Sequence, residues 1–267
     1  MSDEITREFG GPDRGADRRD GTVRDGAVSG ERRTDRGRRG ADHDRVLEAF
    51  RLECGALGDA VTGLSEAEWN LPTRCAPWTV RELLGHVCVV IDWLPAMLDA
   101  PAPGAAEITA VEYYRPDDRF SPRTNGKRIA LAQDRAAGPA DDAALAEDFA
   151  TTWRRVDRLC RAQPAGRTVR TRHGDAMLLS EFLLTRVVEV AVHGIDLADA
   201  LGHEAWLTPA AGDAVTELLL GAEQTTAADK LEWNRPHFLR KATGREPLDE
   251  AEAAQIERLG LRWLALG

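Results

Sequence analysis

The stretch Val187-Val188-Glu189-Val190-Ala191-Val192-His193-Gly194-Ile195-Asp196-Leu197 decides how the rest of the chain is read. It is almost wholly apolar apart from Glu189, His193 and Asp196. Residues three and four apart share one face of a helix, so those three form a polar stripe on an otherwise greasy element. Burying a carboxylate and an imidazole costs several kcal/mol unless something pairs with them. A metal ion is one such partner, and Glu with His at helical spacing is a suitable pair of ligands.

Working outward, the helix carrying this stripe is predicted over about residues 179–201, with Gly202 in the C′ position. Upstream, Val46, Leu47, Phe50, Cys54, Leu57 and Val61 recur at three and four, predicting a helix from His43 that Gly63 closes. Thr79 followed by Glu82 reads as a capping box, opening a helix through Leu84, Val87 and Val90 to Leu94, where Pro95 bends or ends it. Residues 101–125 form a Pro-rich insertion with Tyr113 and Tyr114, followed by a short helix at 126–135. Asp141 or Asp142 caps a helix to about Cys160, and residues 168–172 alternate before a turn at Gly174-Asp175. Thr208-Pro209 starts another helix to about Ala222, and a last one is expected near 249–259. Little strand is expected. The pattern is that of an all-α protein: an up-down four-helix bundle with additional C-terminal helices.

A third ligand is needed, and His86 is the candidate. Alone in an apolar helix it reads as a core histidine. Two bundle helices each presenting a histidine inward, one with Glu four residues earlier, make a metal site. Three protein ligands leave one position open on a tetrahedral ion, which points to catalysis rather than a structural role. Nitrogen and oxygen ligands suit zinc, and equally nickel or iron.

Residues 1–42 hold ten acidic residues and ten arginines, and Phe9 is their only aromatic. Such a segment buries too little to offset its ordering entropy, so a disordered tail is expected before a helical domain at 43–267. The net charge of −10 argues against nucleic-acid binding. No apolar run is long enough to span a bilayer, and the charged start is no signal peptide. A cytoplasmic location follows as the default. The four cysteines, at 54, 75, 88 and 160, show no Cys-x-x-Cys spacing and read as free, mostly buried thiols.

Two segments carry a family resemblance. Trp78-Thr79-Val80-Arg81-Glu82-Leu83-Leu84-Gly85-His86-Val87 resembles the first metal motif of the DinB-like, mycothiol-dependent maleylpyruvate isomerase family. Arg186-Val187-Val188-Glu189-Val190-Ala191-Val192-His193-Gly194-Ile195-Asp196-Leu197-Ala198 resembles its second. The segment from Pro236-His237-Phe238 to Gly244-Arg245-Glu246-Pro247-Leu248 is similar to a C-terminal signature of its short members. The resemblance implies a divalent metal, usually zinc, on His86, Glu189 and His193. It also implies mycothiol as a thiol cosubstrate, used for S-transfer to, or isomerisation of, a small electrophile, and often a homodimer. About 65 residues follow the metal helix, which is short for a separate C-terminal domain. A hydrolase using bound water, or a non-catalytic binding or stress-response module, are the alternative readings.

Arg186 and Asp196 are the remaining catalytic candidates. Arg186, one turn before Glu189, reads as an anion-binding group or as an ion-pair partner. Asp196 reads as an orienter of an imidazole or as a surface or capping acid. Arg81 and Arg245 are expected in surface pairs. Trp78 is expected to seat its helix, and Trp93, Tyr113 and Tyr114 to line a cavity or pack the core. His173 is expected as a turn residue, while His43, His203 and His237 have no singled-out role.

Overall fold

Thr79 accepts from the backbone of Glu82 while Glu82 reaches back, and this capping box opens helix α3 (Val80–Ile91), the element on which the interior is built. The structure, a computed structural model, describes residues 24–117 and 121–266, with side chains from Gly37 on. In chain order the helices before α3 are α1 (Arg24–Val61) and α2 (Glu66–Trp69). After it come α4 (Trp93–Asp99), α5 (Ala110–Tyr113), α6 (Pro122–Ala137) and α7 (Asp142–Arg161). The antiparallel strands β1 (Thr168–Arg170) and β2 (Ala176–Leu178) make one short ribbon, with Val169 opposite Met177. Then follow α8 (Leu179–Leu201), α9 (Pro209–Leu220), α10 (Ala222–Ala228), a 3-10 turn, α11 (Arg235–Ala242) and α12 (Glu250–Leu259).

The molecule is an all-α four-helix bundle with additional C-terminal helices. Helices α1, α3, α7 and α8 build it, and α6 lies along α3. Phe50, Leu57, Leu83, Leu84, Phe149, Leu183 and Val190 sit in one continuous core. Gly85 is required where α3 meets α6, because a Cβ there would lie 2.6 Å from the Ala132 carbonyl oxygen. Beyond the bundle, α9 packs on α8 and on α11, and α11 also reaches α8. Glu53 on α1 ties the bundle to α9 by accepting from both the backbone and the hydroxyl of the N-cap Thr208.

Several expectations hold: the capping box at Thr79, the Thr208-Pro209 start, and Gly202 at φ 68° closing α8. Others are corrected. Residues 1–23 of the expected disordered tail lie outside the described residues, and α1 begins at Arg24 rather than His43. Extending an existing helix costs far less than nucleating one, and no proline interrupts 24–43. Contacts divide the chain between Arg38 and Arg39, and the site lies wholly within the second unit. The α3 break comes at Asp92, with Pro95 inside α4, where the missing N–H falls in the first turn. The helix expected at 126–135 is longer at both ends, because Ser121 caps it and Pro122 takes the first position. The insertion is tied down: Glu107 and Ile108 both donate to the Ala176 carbonyl, against the edge of the ribbon. Among the described residues no helix is long and apolar enough to cross a membrane.

Candidate functional site

The α3 core register leaves one polar residue inward, His86, which is 2% exposed. Its ring stacks on Trp78, centroids 4.7 Å apart and planes at 22°. On α8, Glu189 and His193 face it from one turn apart. His86 Nε2 lies 3.2 Å from Glu189 Oε2, and His193 Nε2 lies 3.4 Å from the same oxygen. The two imidazoles meet edge to face at 5.0 Å.

The other side of His193 is held by charge. Its Nδ1 lies 3.0 Å from Asp196 Oδ2, and Asp196 is fully buried. Arg245, arriving from beyond α11, donates to both Asp196 oxygens, at 2.8 and 2.6 Å. Arg74 stands 3.6 Å from the same carboxylate. Cys75 donates its thiol to Asp196 Oδ2 at 3.2 Å and sits 3.9 Å from His193 Nδ1. Arg186 is also fully buried, enclosed by Phe182, Trp93 and Tyr113. It donates to the Thr185 hydroxyl and the Val90 carbonyl, and its Nη2 lies 3.8 Å from Glu189 Oε1.

These surroundings push the ionisable groups in different directions. Burial drives His86 down to about 4 against the pull of Glu189, which keeps it neutral. Burial opposes protonation of His193 too, but Asp196, Cys75 and Glu189 together hold it well above its usual range. Burial would raise Glu189; the two histidines and Arg186 outweigh it and hold the carboxyl well below the usual range. Asp196 is likewise lowered, burial being outweighed by His193 and Arg245. Neutral imidazole beside ionised carboxylate is the protonation state that metal ligation requires of His86 and Glu189.

Glu189 also borders a cleft lined by Trp93, Tyr113, Tyr114, Arg128, Arg172 and His173. The insertion, the β1–β2 turn, α6 and α8 converge there. The three aromatic candidates and His173 therefore meet beside the cluster. Arg81 does not: it donates to the Ala136 carbonyl and pairs with Asp142, joining α3 to α6 and α7. Cys88 is buried elsewhere on α3, and His43 is buried with neither ring nitrogen finding a hydrogen-bond partner among the described residues. His237 joins a surface network with Glu246 and Glu252. Arg245, expected in a surface pair, instead reaches the buried Asp196 because α11 packs on α8. Cys75 was legible only as a loop cysteine; nothing periodic in Asn70–Trp78 marks it.

The donor set fits a divalent ion. Ligand atoms about 2.1 Å from a tetrahedral centre stand about 3.4 Å apart, and the two imidazole-to-carboxylate separations are 3.2 and 3.4 Å. All three ligand atoms lie within 4.8 Å of one another. Fold and cluster together define a class: a DinB-like bundle with a His-Glu-His group at its interior, bordering a cleft. Residues 50–198 match the family model described as the mycothiol maleylpyruvate isomerase N-terminal domain. The chain belongs to that family, whose enzymes carry out metal-dependent, thiol-mediated isomerisation of a small electrophile. Among solved structures, a mycothiol-dependent maleylpyruvate isomerase is similar at TM-score 0.50 and 18% identity, over 76% of this chain and 90% of that one. A mutant of that enzyme is similar at TM-score 0.49 and 16% identity, with the same coverage. At such identity the likeness speaks to the shared fold. No curated protein sequence matches the chain.

Proposed function

We propose that residues 43–267 form a zinc-dependent, mycothiol-using enzyme that isomerises a small electrophile or transfers the thiol to it, in the cytoplasm where such thiols are kept reduced. The observation that carries this reading is the convergence of His86 Nε2 and His193 Nε2 on one oxygen of Glu189, beside a cleft. His86, Glu189 and His193 would hold the ion. Its chemistry would be to favour the thiolate form of a bound thiol, the nucleophilic form.

The chain's own groups do the rest. Asp196 accepts from His193 Nδ1, which turns Nε2 inward toward Glu189. Arg245 and Arg74 keep Asp196 ionised in a dry setting. Arg186, enclosed by aromatic rings, positions Glu189 rather than meeting substrate. Tyr113 and Trp93 give the cleft flat walls against which an unsaturated molecule can lie. The thiolate adds to one carbon of a conjugated double bond and the displaced pair passes to the neighbouring carbonyl oxygen as an enolate; rotation follows about the new single bond, and return of the pair regenerates the double bond and expels the thiolate. If a leaving group departs instead, the outcome is S-transfer.

The test is metal analysis of His86→Ala and His193→Ala beside the unaltered protein, with turnover assayed with and without mycothiol. Both variants should lose metal and activity while keeping their helical circular dichroism. Full metal retention in both would remove the site; turnover indifferent to mycothiol would replace the thiol by water as the nucleophile.

A further inference from the structure

The seam between α1 and α7 is built from small residues. Gly55, Gly58 and Thr62 line its α1 side, and Ala143, Ala146 and Ala150 its α7 side. Both sets repeat at three and four, so each occupies one face of its helix. A Cβ on Gly58 would stand 3.7 Å from the Phe149 ring and 3.8 Å from the Trp153 indole nitrogen, so the helices meet there. A Cβ on Gly55 would meet nothing within 4 Å. The missing side chains leave a cavity of about 270 Å³, backed by the buried Trp69. That is close to the lower end, about 300 Å³, of clefts that hold small molecules. None of its lining residues belongs to the His-Glu-His group or to the cleft beside it.

Charges of both signs stand around this space. Asp142 is neutralised by Arg81. Glu147 accepts from the Thr151 hydroxyl at 3.3 Å and meets no cation among the described residues. Asp59 has neither a side-chain hydrogen bond nor an ion pair among the described residues. Arg154 holds its guanidinium 5.1 Å from the centre of the Trp153 ring and meets no carboxylate among the described residues. One unpaired surface charge is ordinary. Two carboxylates and a guanidinium around one cavity, with an indole between them, are the complement of a molecule bearing two cations, one carboxylate and an apolar stem. A guanidinium presents a flat fork of donors that matches the two oxygens of a carboxylate, and the methylenes of a basic side chain lie well along apolar surface. We propose that the α1–α7 cavity binds a free basic amino acid. Its carboxylate would meet Arg154, its two cationic groups Asp59 and Glu147, and its stem the Trp153 ring.

The experiment is calorimetric titration of the full chain with lysine, with norleucine, which lacks the side-chain cation, and with 1,5-diaminopentane, which lacks the carboxylate. Lysine should bind, and each of the other two should bind at least about 10-fold more weakly, the loss of one charge-assisted contact. Asp59→Asn and Arg154→Gln should each weaken lysine by a similar factor. Glu223→Gln, a charge removed from an exposed position of α10, should leave binding unaltered. Gly55→Leu fills the cavity and replaces a glycine inside a helix, so it should abolish binding while keeping the helical circular dichroism. Absence of lysine binding, norleucine or the diamine binding as well as lysine, or equal loss in Glu223→Gln would overturn the proposal. So would unaltered lysine binding in Asp59→Asn and Arg154→Gln, a result that stands whether or not Gly55→Leu folds.

Discussion

His86 and His193 face the same carboxylate oxygen from two helices, yet their other sides could hardly differ more. Behind His86 there is only apolar matter: the Trp78 ring stacked on it, and a Nδ1 that finds no hydrogen-bond partner among the described residues. Behind His193 stand a buried carboxylate, two arginines and a thiol. Packing fixes the first ring by shape and desolvation, and hydrogen bonds fix the second by direction. The contrast teaches that one site can be pre-organised by two kinds of force. The α8 side should answer to pH and to charge-removing substitutions, and the α3 side to changes of volume.

The largest effect is expected away from both histidines, at Glu53 on α1, which is 1% exposed and whose pKa burial raises to about 7. A carboxyl raised in the folded state gives its stability below the unfolded value near 4.5 and loses it as pH climbs toward 7. That loss amounts to about 3 kcal/mol at most. Glu53→Gln keeps the acceptor for Thr208 but removes the titration. Urea melts at pH 5 and pH 8 should therefore show the variant gaining on the parent as pH rises. Parallel pH profiles would show that burial does not hold the Glu53 carboxyl above its usual range.

Next in size is Asp196→Asn, which leaves the volume intact and removes the charge behind His193. Metal affinity should fall by about 10- to 100-fold, read by competition with a chelator. An unchanged affinity would mean that packing alone holds His193 as well. Third is Gly85→Ala, which sets a methyl group against the Ala132 carbonyl. The α3–α6 contact must open, at the lower end of about 1–3 kcal/mol. His86 should shift with it, so both melting temperature and metal affinity should drop. The smallest change is expected from Trp78→Phe, which keeps a ring over His86: metal affinity should move by less than about 3-fold, under 1 kcal/mol. A loss as large as that of Asp196→Asn would show that the indole contributes more than stacking.

Legibility followed the same divide. Glu189, His193 and Asp196 stand on one helix at spacings of four and three, so their shared face follows from 3.6 residues per turn alone. The start of α3 was equally local, since Thr79 and Glu82 cap it within one turn. Pairing His86 with that face needed the added inference that two helices with inward histidines belong to one bundle. The N-terminal extent of α1 was not legible, because composition signals solvation without saying where an existing helix stops. Helix α11 was missed as well: an Asn234 cap and eight residues give too short a pattern for periodicity.

By itself, then, the sequence determined the helices, their caps, the polar stripe on α8 and the ligand types, because each depends on neighbours within about two turns. Tertiary structure alone decided what surrounds the stripe. Cys75 and Arg245 reach Asp196 across 121 and 49 residues. The β1–β2 turn brings Arg172 over Trp93, an approach set by how the ribbon docks on the insertion. Such contacts depend on packing between distant elements. No periodicity encodes them, so they remain invisible until the helices are set against one another.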